Sequence, residues 1–219
     1  MHNPVKNYKE IINAIEQKLK DQNKNNSPKI IAVSKTFKLN KILPLIEYGH
    51  LDYGENKVQE ALEKWSEIKK DKQDINLHLI GKLQTNKVKF AISIFDYIHS
   101  LDSEKLAKKI ADEEIKQEKK IKLFIQVNIG DESQKSGVPK SQVKDLFNYC
   151  KKLNLNVIGL MCIPPIDVNP EKYFSEIKLI NENLNLKELS MGMSTDYLKA
   201  IDYSSTFLRI GSSIFGERV

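Results

Sequence analysis

Lys35 closes the run Lys29-Ile30-Ile31-Ala32-Val33-Ser34-Lys35. Four consecutive apolar residues, mostly β-branched, read as a short strand buried on both faces. Lysine is seldom buried without a partner, so its position at the end of such a strand is chemically suggestive. Desolvation disfavours the ammonium form, and a neutral amine attacks a carbonyl carbon to give a Schiff base. The competing reading is that Lys35 marks only the point where the strand meets water. A second signal lies far along the chain, in Met191-Gly192-Met193-Ser194 and Gly211-Ser212-Ser213. Glycine lets backbone N–H groups approach an anion closely and serine hydroxyls add donors, although the same residues also make ordinary turns. Between the two stretches stands Arg209. Of 35 Lys and Arg residues only Arg209 and Arg218 are arginines, and a chain that otherwise uses lysine is expected to place arginine where a planar fork matters.

The hydrophobic pattern supplies the elements that must position these groups. Apolar residues at helical spacing, such as Ile11, Ile12, Ile15 and Leu19, predict helices over 7–24, 38–48, 57–70, 85–92, 103–117, 140–153, 170–184 and 196–203. Gly49 reads as a helix stop, Thr85 as a cap and Pro170 as a first-turn residue. Short branched runs predict strands ending at Lys35 and over 51–54, 76–80, 95–99, 121–127, 156–161, 186–190 and 206–210. Strict strand–helix alternation argues for parallel strands with helical crossovers. The count fits a single (β/α)8 TIM-type barrel with an extra N-terminal helix, one domain over 1–219; a doubly wound open sheet is the competing α/β architecture. Barrel chemistry sits at the C-terminal strand ends. The residues found there are Lys35, Glu55 and Asn56, Gly81, His99, Asn128, Met161, the stretch 190–194, and 209–212. The two Gly/Ser stretches follow strands seven and eight, where barrels often hold phosphate.

Composition removes other classes. The net charge is +6, but lysines alternate with acids through 60–72 and 104–122, as on solvated helix faces, so no nucleic-acid stripe is expected. No run approaches the roughly 18 apolar residues of a membrane helix, and residues 1–6 lead into a polar helical segment unlike a signal peptide. Cys150 and Cys162 are far apart and are expected as reduced thiols in a cytoplasmic protein. Cys162 has no neighbouring base and is not read as a nucleophile. His2, His50 and His99 read as surface or strand-end residues, His78 as structural, and Trp65 as helix core.

A Schiff-base lysine with a phosphate site suggests either pyridoxal phosphate chemistry or a sugar-phosphate aldolase. Seven stretches narrow the choice: Ile31-Ala32-Val33-Ser34-Lys35, Tyr53-Gly54-Glu55-Asn56, His78-Leu79-Ile80-Gly81-Lys82-Leu83-Gln84-Thr85-Asn86-Lys87, Ser136-Gly137, Gly159-Leu160-Met161, Ser190-Met191-Gly192-Met193-Ser194 and Arg209-Ile210-Gly211-Ser212-Ser213-Ile214-Phe215-Gly216. In this order they closely resemble the pyridoxal phosphate homeostasis proteins, from about residue 30 to residue 218. The resemblance implies a barrel like the N-terminal domain of alanine racemase, with pyridoxal 5'-phosphate held as an aldimine of Lys35. It further implies phosphate contacts from Ser194, Gly211 and Ser212, Arg209 facing the pyridine nitrogen, Asn56 near the ring, and Met161 and Met193 as walls.

The implied role is to hold and deliver the cofactor in intracellular homeostasis, as a monomer and without catalysis, with recipient apoenzymes as partners. Physical chemistry agrees. The cofactor is a strong electron sink when an acid protonates its ring nitrogen, and arginine only donates a hydrogen bond. Racemases with arginine there use two opposed bases, one near a second domain for which the chain is expected to have no room. A pyridoxal phosphate-dependent amino-acid racemase and a cofactor-free Schiff-base aldolase are the alternatives. Borohydride treatment of the yellow, loaded protein followed by peptide mapping is expected to tag Lys35, and Lys35→Ala should abolish the colour while keeping the fold. A tag on Lys82 or Lys87 would refute the assignment.

Overall fold

A computed structural model describes residues 3–132 and 136–217; His2 and Arg218 fall outside them. The strands are β1 (Lys29–Val33), β2 (Asp52–Glu55), β3 (Asn76–Leu79), β4 (Tyr97–Leu101), β5 (Lys122–Asn128), β6 (Val138–Pro139), β7 (Asn156–Cys162), β8 (Glu188–Met193) and β9 (Phe207–Ile210). All pair in parallel, and the β4–β5 and β9–β1 pairings close eight of them into a barrel. That closure rules out the open sheet. The two-residue β6 adds to β5 outside the ring. Helix α1 (Pro4–Asp21) precedes the first strand, capped by Asn3, whose Oδ1 accepts from the N–H groups of Val5 and Lys6. The crossovers carry α2 (Leu39–Glu47), α3 (Val58–Asp71), α4 (Val88–Ile94), α5 (Glu104–Lys116), α6 (Val143–Lys152), α7 (Glu171–Asn183) and α8 (Tyr197–Asp202), and β9 runs into the single turn α9 (Ser212–Phe215). Thr85 makes no cap; it opens a 3-10 turn before α4.

Side-chain alternation divides the core. From β1, Ile30 and Ala32 join the apolar layer between strands and helices, whereas Ile31 points into the barrel beside Tyr97, Phe124, Met161 and Phe207. The same inward face of β1 continues through Val33 to Lys35. The barrel interior is not wholly apolar. His78, His99 and Ser190 are fully buried in it, with Arg209. The expectation that His99 ends the fourth strand at the mouth is therefore wrong. β4 continues to Leu101, and the His99 ring stacks on Phe124 at 4.3 Å between centroids while His78 stacks on Tyr97 at 4.2 Å. A polar residue reads as a strand end in one dimension, but inside a closed barrel it is tolerated when its hydrogen bonds are satisfied.

His50 is likewise no surface residue. One ring nitrogen lies 3.0 Å from the Tyr8 hydroxyl and the other 2.8 Å from the Asp52 carbonyl. Burial lowers its pKa from the ordinary 6.5 to about 4, and burial also lowers those of His78 and His99. The folded protein holds His50 neutral down to about pH 4, whereas the unfolded chain protonates it below about 6.5. In that window the unfolded state binds more protons, so stability falls as pH drops. The urea midpoint is expected to fall between neutral pH and about pH 5, and His50→Gln should make that decline shallower. An unchanged slope in the variant would show that His50 does not titrate this way.

Candidate functional site

The C-terminal mouth of the barrel holds a cavity of about 760 Å³. Lys35, Asn56, Met193, Ser194, Arg209, Gly211 and Ser212 all line it. Met161, read as a wall, instead lies fully buried in the inner apolar cluster. Glu55 ends β2 but points away from the mouth, into the layer beneath α3.

That outward side braces Lys35. The Ser34 N–H donates to the Gly54 carbonyl at 3.0 Å, and its hydroxyl donates to Glu55 Oε1 at 2.7 Å. Lys64 of α3 donates to the Ser34 carbonyl, Glu55 and Glu60, each at 2.9 Å. Glu60 Oε1 in turn accepts the Thr36 N–H at 2.6 Å, and Trp65 Nε1 donates to Glu55 at 3.0 Å. Burial raises the Glu55 carboxyl, with Lys64 pulling against it. Both chain neighbours of Lys35 are thus tied to α3, and Thr36 is held at φ 67°, a left-handed conformation that a β-branched residue rarely adopts.

Across the mouth, the β8 and β9 exits bring N–H and hydroxyl donors together. Ser194 Oγ accepts the N–H groups of Gly211 and Ser213, both at 3.3 Å, which leaves its hydroxyl proton to donate. Among the described residues no acceptor engages the N–H of Ser194 or Thr195, and that of Ser212 opens α9, where a helix has no internal acceptor to offer. Asp196 stabilises the turn by accepting the Met193 N–H at 2.6 Å. Gly192, at φ +91°, lets α8 close in, because a Cβ there would stand 2.7 Å from that of Ala200.

Arg209 is 5% exposed. Its Nη1 donates to the carbonyl and hydroxyl of Ser190 at 2.6 and 2.7 Å, and Nη2 donates to the Cys162 carbonyl at 2.8 Å. Among the described residues it forms no ion pair. Guanidinium has five N–H donors, and these three bonds leave others for the cavity. The Cys162 thiol is pushed up to about 12 by burial, which makes it an inert neighbour. Among the described residues no group of His, Cys, Asp and Glu is arranged to hold a metal ion, and no helix is long and apolar enough to cross a membrane.

Several lining residues carried no assigned role in the sequence: Val33, Ile80, Lys82 and Ser136 stand only within the quoted motifs, and Gln126 and Thr195 in none of them. The signal for some was period-two alternation: Val33 shares a face with Lys35, and Gln126 interrupts an otherwise apolar strand. Gln126 donates to the Ser136 carbonyl at 3.1 Å, and Gly137, at φ +123°, would set a Cβ 2.6 Å from the Asn128 nitrogen. The motif Ser136-Gly137 therefore packs the loop after β5 against the cavity.

A barrel with a lysine at its first strand exit and clustered N–H and hydroxyl donors at its last two belongs to a recognisable class. The chain matches the family model of the alanine racemase N-terminal domain over residues 11–219. A pyridoxal phosphate homeostasis protein of Aquifex aeolicus is 40% identical over 203 residues, covering 88% of each chain. Another, from Haemophilus influenzae, is 35% identical over 223 residues, covering 94% of each. The chain belongs to the pyridoxal phosphate homeostasis protein family. PipY of Synechococcus elongatus, solved with PLP (pyridoxal phosphate) bound, superposes with a TM-score of 0.81 at 31% identity, over 92% of this chain and 100% of that one. An alanine racemase of Clostridium difficile, 15% identical with a TM-score of 0.70 over 98% of this chain and 56% of its own, shares the fold.

The Lys35 brace has a measurable consequence. Glu60→Ala removes the acceptor for Thr36 and should cost about 1 kcal/mol, reduced from the usual charged-bond value by partial exposure. Adding Thr36→Gly should recover much of that loss, since glycine adopts the left-handed conformation without steric penalty. Additive effects in urea unfolding of the two single variants and the double would mean that Glu60 does not hold this turn.

Proposed function

We propose that the chain binds pyridoxal 5'-phosphate at the C-terminal mouth, links it reversibly through Lys35, and serves intracellular pyridoxal phosphate homeostasis by holding and releasing it. The observation that carries this reading is the meeting, in one cavity, of a braced lysine, an anion cradle and a buried arginine with spare donors. Relatives of the same family name and the PLP-bound PipY structure support it. The residues fit the cofactor. N–H groups and hydroxyls at Ser194, Gly211 and Ser212 suit a phosphate dianion. The Lys35 amine condenses with the aldehyde carbon and one water leaves. Arg209 donates to the ring nitrogen, with Asn56 beside the ring and Met193 against it. Met161 acts one layer down, packing the floor on which the site rests.

Bound pyridoxal phosphate supplies an electron sink whose strength depends on ring-nitrogen protonation. Arg209 keeps its own proton and supplies only a hydrogen bond, so the site stores the aldehyde without activating substrates. Recipient apoenzymes are the partners such storage serves, and the chain acts as a monomer in the cytoplasm. The test combines colour and exchange. The loaded protein should be yellow, and several amino acids incubated with it in heavy water should keep their α-protons. An aldolase without cofactor would stay colourless, and fast α-proton exchange would overturn the storage reading and favour a racemase.

A further inference from the structure

The barrel interior carries a line of polar contacts that the cavity alone does not require. Ser190 Oγ lies 2.8 Å from His99 Nδ1, His99 Nε2 lies 3.0 Å from His78 Nδ1, and His78 Nε2 lies 3.0 Å from Asp52 Oδ1. With the bond from Arg209 to Ser190 Oγ at 2.7 Å, the line runs from the C-terminal mouth to Asp52, the first residue of β2, at the opposite mouth.

Its direction follows from donor accounting. Arginine only donates, so Ser190 Oγ accepts from Arg209. Among the described residues the Ser190 hydroxyl has one other neighbour, His99 Nδ1. A buried hydroxyl proton is costly to leave without an acceptor, so it goes to Nδ1. A neutral His99 then carries its proton on Nε2 and donates to His78 Nδ1. His78, protonated on Nε2 by the same logic, donates to Asp52. Every link points the same way, with lone pairs toward the Arg209 cation and protons toward the Asp52 anion. Hydrogen bonds aligned in this way polarise one another. Ring stacking on Tyr97 and Phe124 fixes both imidazole planes. Burial, foremost, holds both histidines neutral, and the Arg209 charge presses His99 the same way. Asp52 lies in the field of Lys29 and Lys122, and the His78 hydrogen bond opposes the effect of burial and keeps it ionised.

We propose that Asp52, His78, His99 and Ser190 form a one-directional relay that positions the Arg209 guanidinium and makes a carboxylate at the far mouth its electrostatic counterweight. None of the first three touches the cavity; they are positioning residues. The effect on a bound ligand rests on the functional reading above, whereas the relay itself does not.

Nitrogen-15 NMR of histidine-labelled, unloaded protein tests the relay without any variant. Both rings should be neutral at neutral pH, with Nε2 protonated and Nδ1 bare. An Nδ1–H tautomer or an imidazolium at either position would overturn it. In Asp52→Asn, the His99 nitrogen signals should move together with those of His78, although His99 does not touch residue 52; a change confined to His78 would reduce the line to separate contacts. In the loaded protein the same substitution should shift the visible absorption band and weaken pyridoxal phosphate retention about fivefold, the equivalent of one ordinary hydrogen bond. An unmoved band and unchanged retention alongside coupled histidine signals would overturn the counterweight. Failure of the unsubstituted protein to take up pyridoxal phosphate would refute the functional reading and leave the histidine result standing.

Discussion

A guanidinium buried inside a barrel is the constraint from which the interior follows. Desolvating an ion costs several kcal/mol unless its hydrogen bonds are replaced. Arg209 recovers them from the Ser190 and Cys162 carbonyls, on β8 and β7, and from the Ser190 hydroxyl. Leu, Ile or Val would fill the same volume in an ordinary barrel layer. Here that layer holds His78, His99 and Ser190, because a charge at the mouth needs a polarised environment below it. Ile31, Tyr97, Phe124, Met161 and Phe207 pack around these polar groups, with Tyr97 and Phe124 stacked on the two imidazoles.

Lys35 is supported in a different manner, by its backbone. Alternation sends Val33 and Lys35 inward, and Ser34 outward to a buried carboxylate. Glu55 Oε1 collects donors from Ser34, Lys64 and Trp65, and Lys64 extends the network to Glu60 and so to Thr36. The motif Tyr53-Gly54-Glu55-Asn56 therefore has two faces. Asn56 lines the cavity while Glu55 fastens the chain on either side of the lysine. The strained φ of Thr36 persists because α3 over-determines it, which is how local strain survives at functional positions.

Much of this was legible in the sequence. Branched runs and helical periods gave the eight barrel strands and their crossovers, because each element must bury one face or both against the next layer. Strand exits then located nine cavity residues, Gly81 and Asn128 among them, since only there does a barrel open. Depth was harder to read. Met161 and His99 stand near the ends of apolar runs, where a linear pattern suggests a mouth; strand tilt and register carry them inside. The relay left a faint trace in alternation, for Tyr97 and His99 share a face, but only the closed barrel brings His99 of β4 to Ser190 of β8. The Glu55 network was illegible for a related reason. A carboxylate at a strand exit reads as functional until the direction of its side chain is known.

The relay also bears on the proposed role of the site as a store for the cofactor. A carboxylic acid at position 209 would protonate a ring nitrogen and strengthen the electron sink. Its conjugate carboxylate, however, is an acceptor where Arg209 is a donor. Ser190 would then face an acceptor at one side and the bare Nδ1 of His99 at the other, with one proton for both. A line ending in two acceptors needs an additional proton, which goes either to an imidazole that burial holds neutral or, with both tautomers reversed, to Asp52. Either His99 becomes charged in the barrel core, or both tautomers reverse and Asp52 gives up its charge, or a buried acceptor loses its bond; each outcome costs on the order of kcal/mol. Ring-nitrogen chemistry and core stability are thus coupled through the same side chain. A carboxylic acid at position 209 is therefore felt at Ser190 and His99, on two other strands, and at Asp52 on a third.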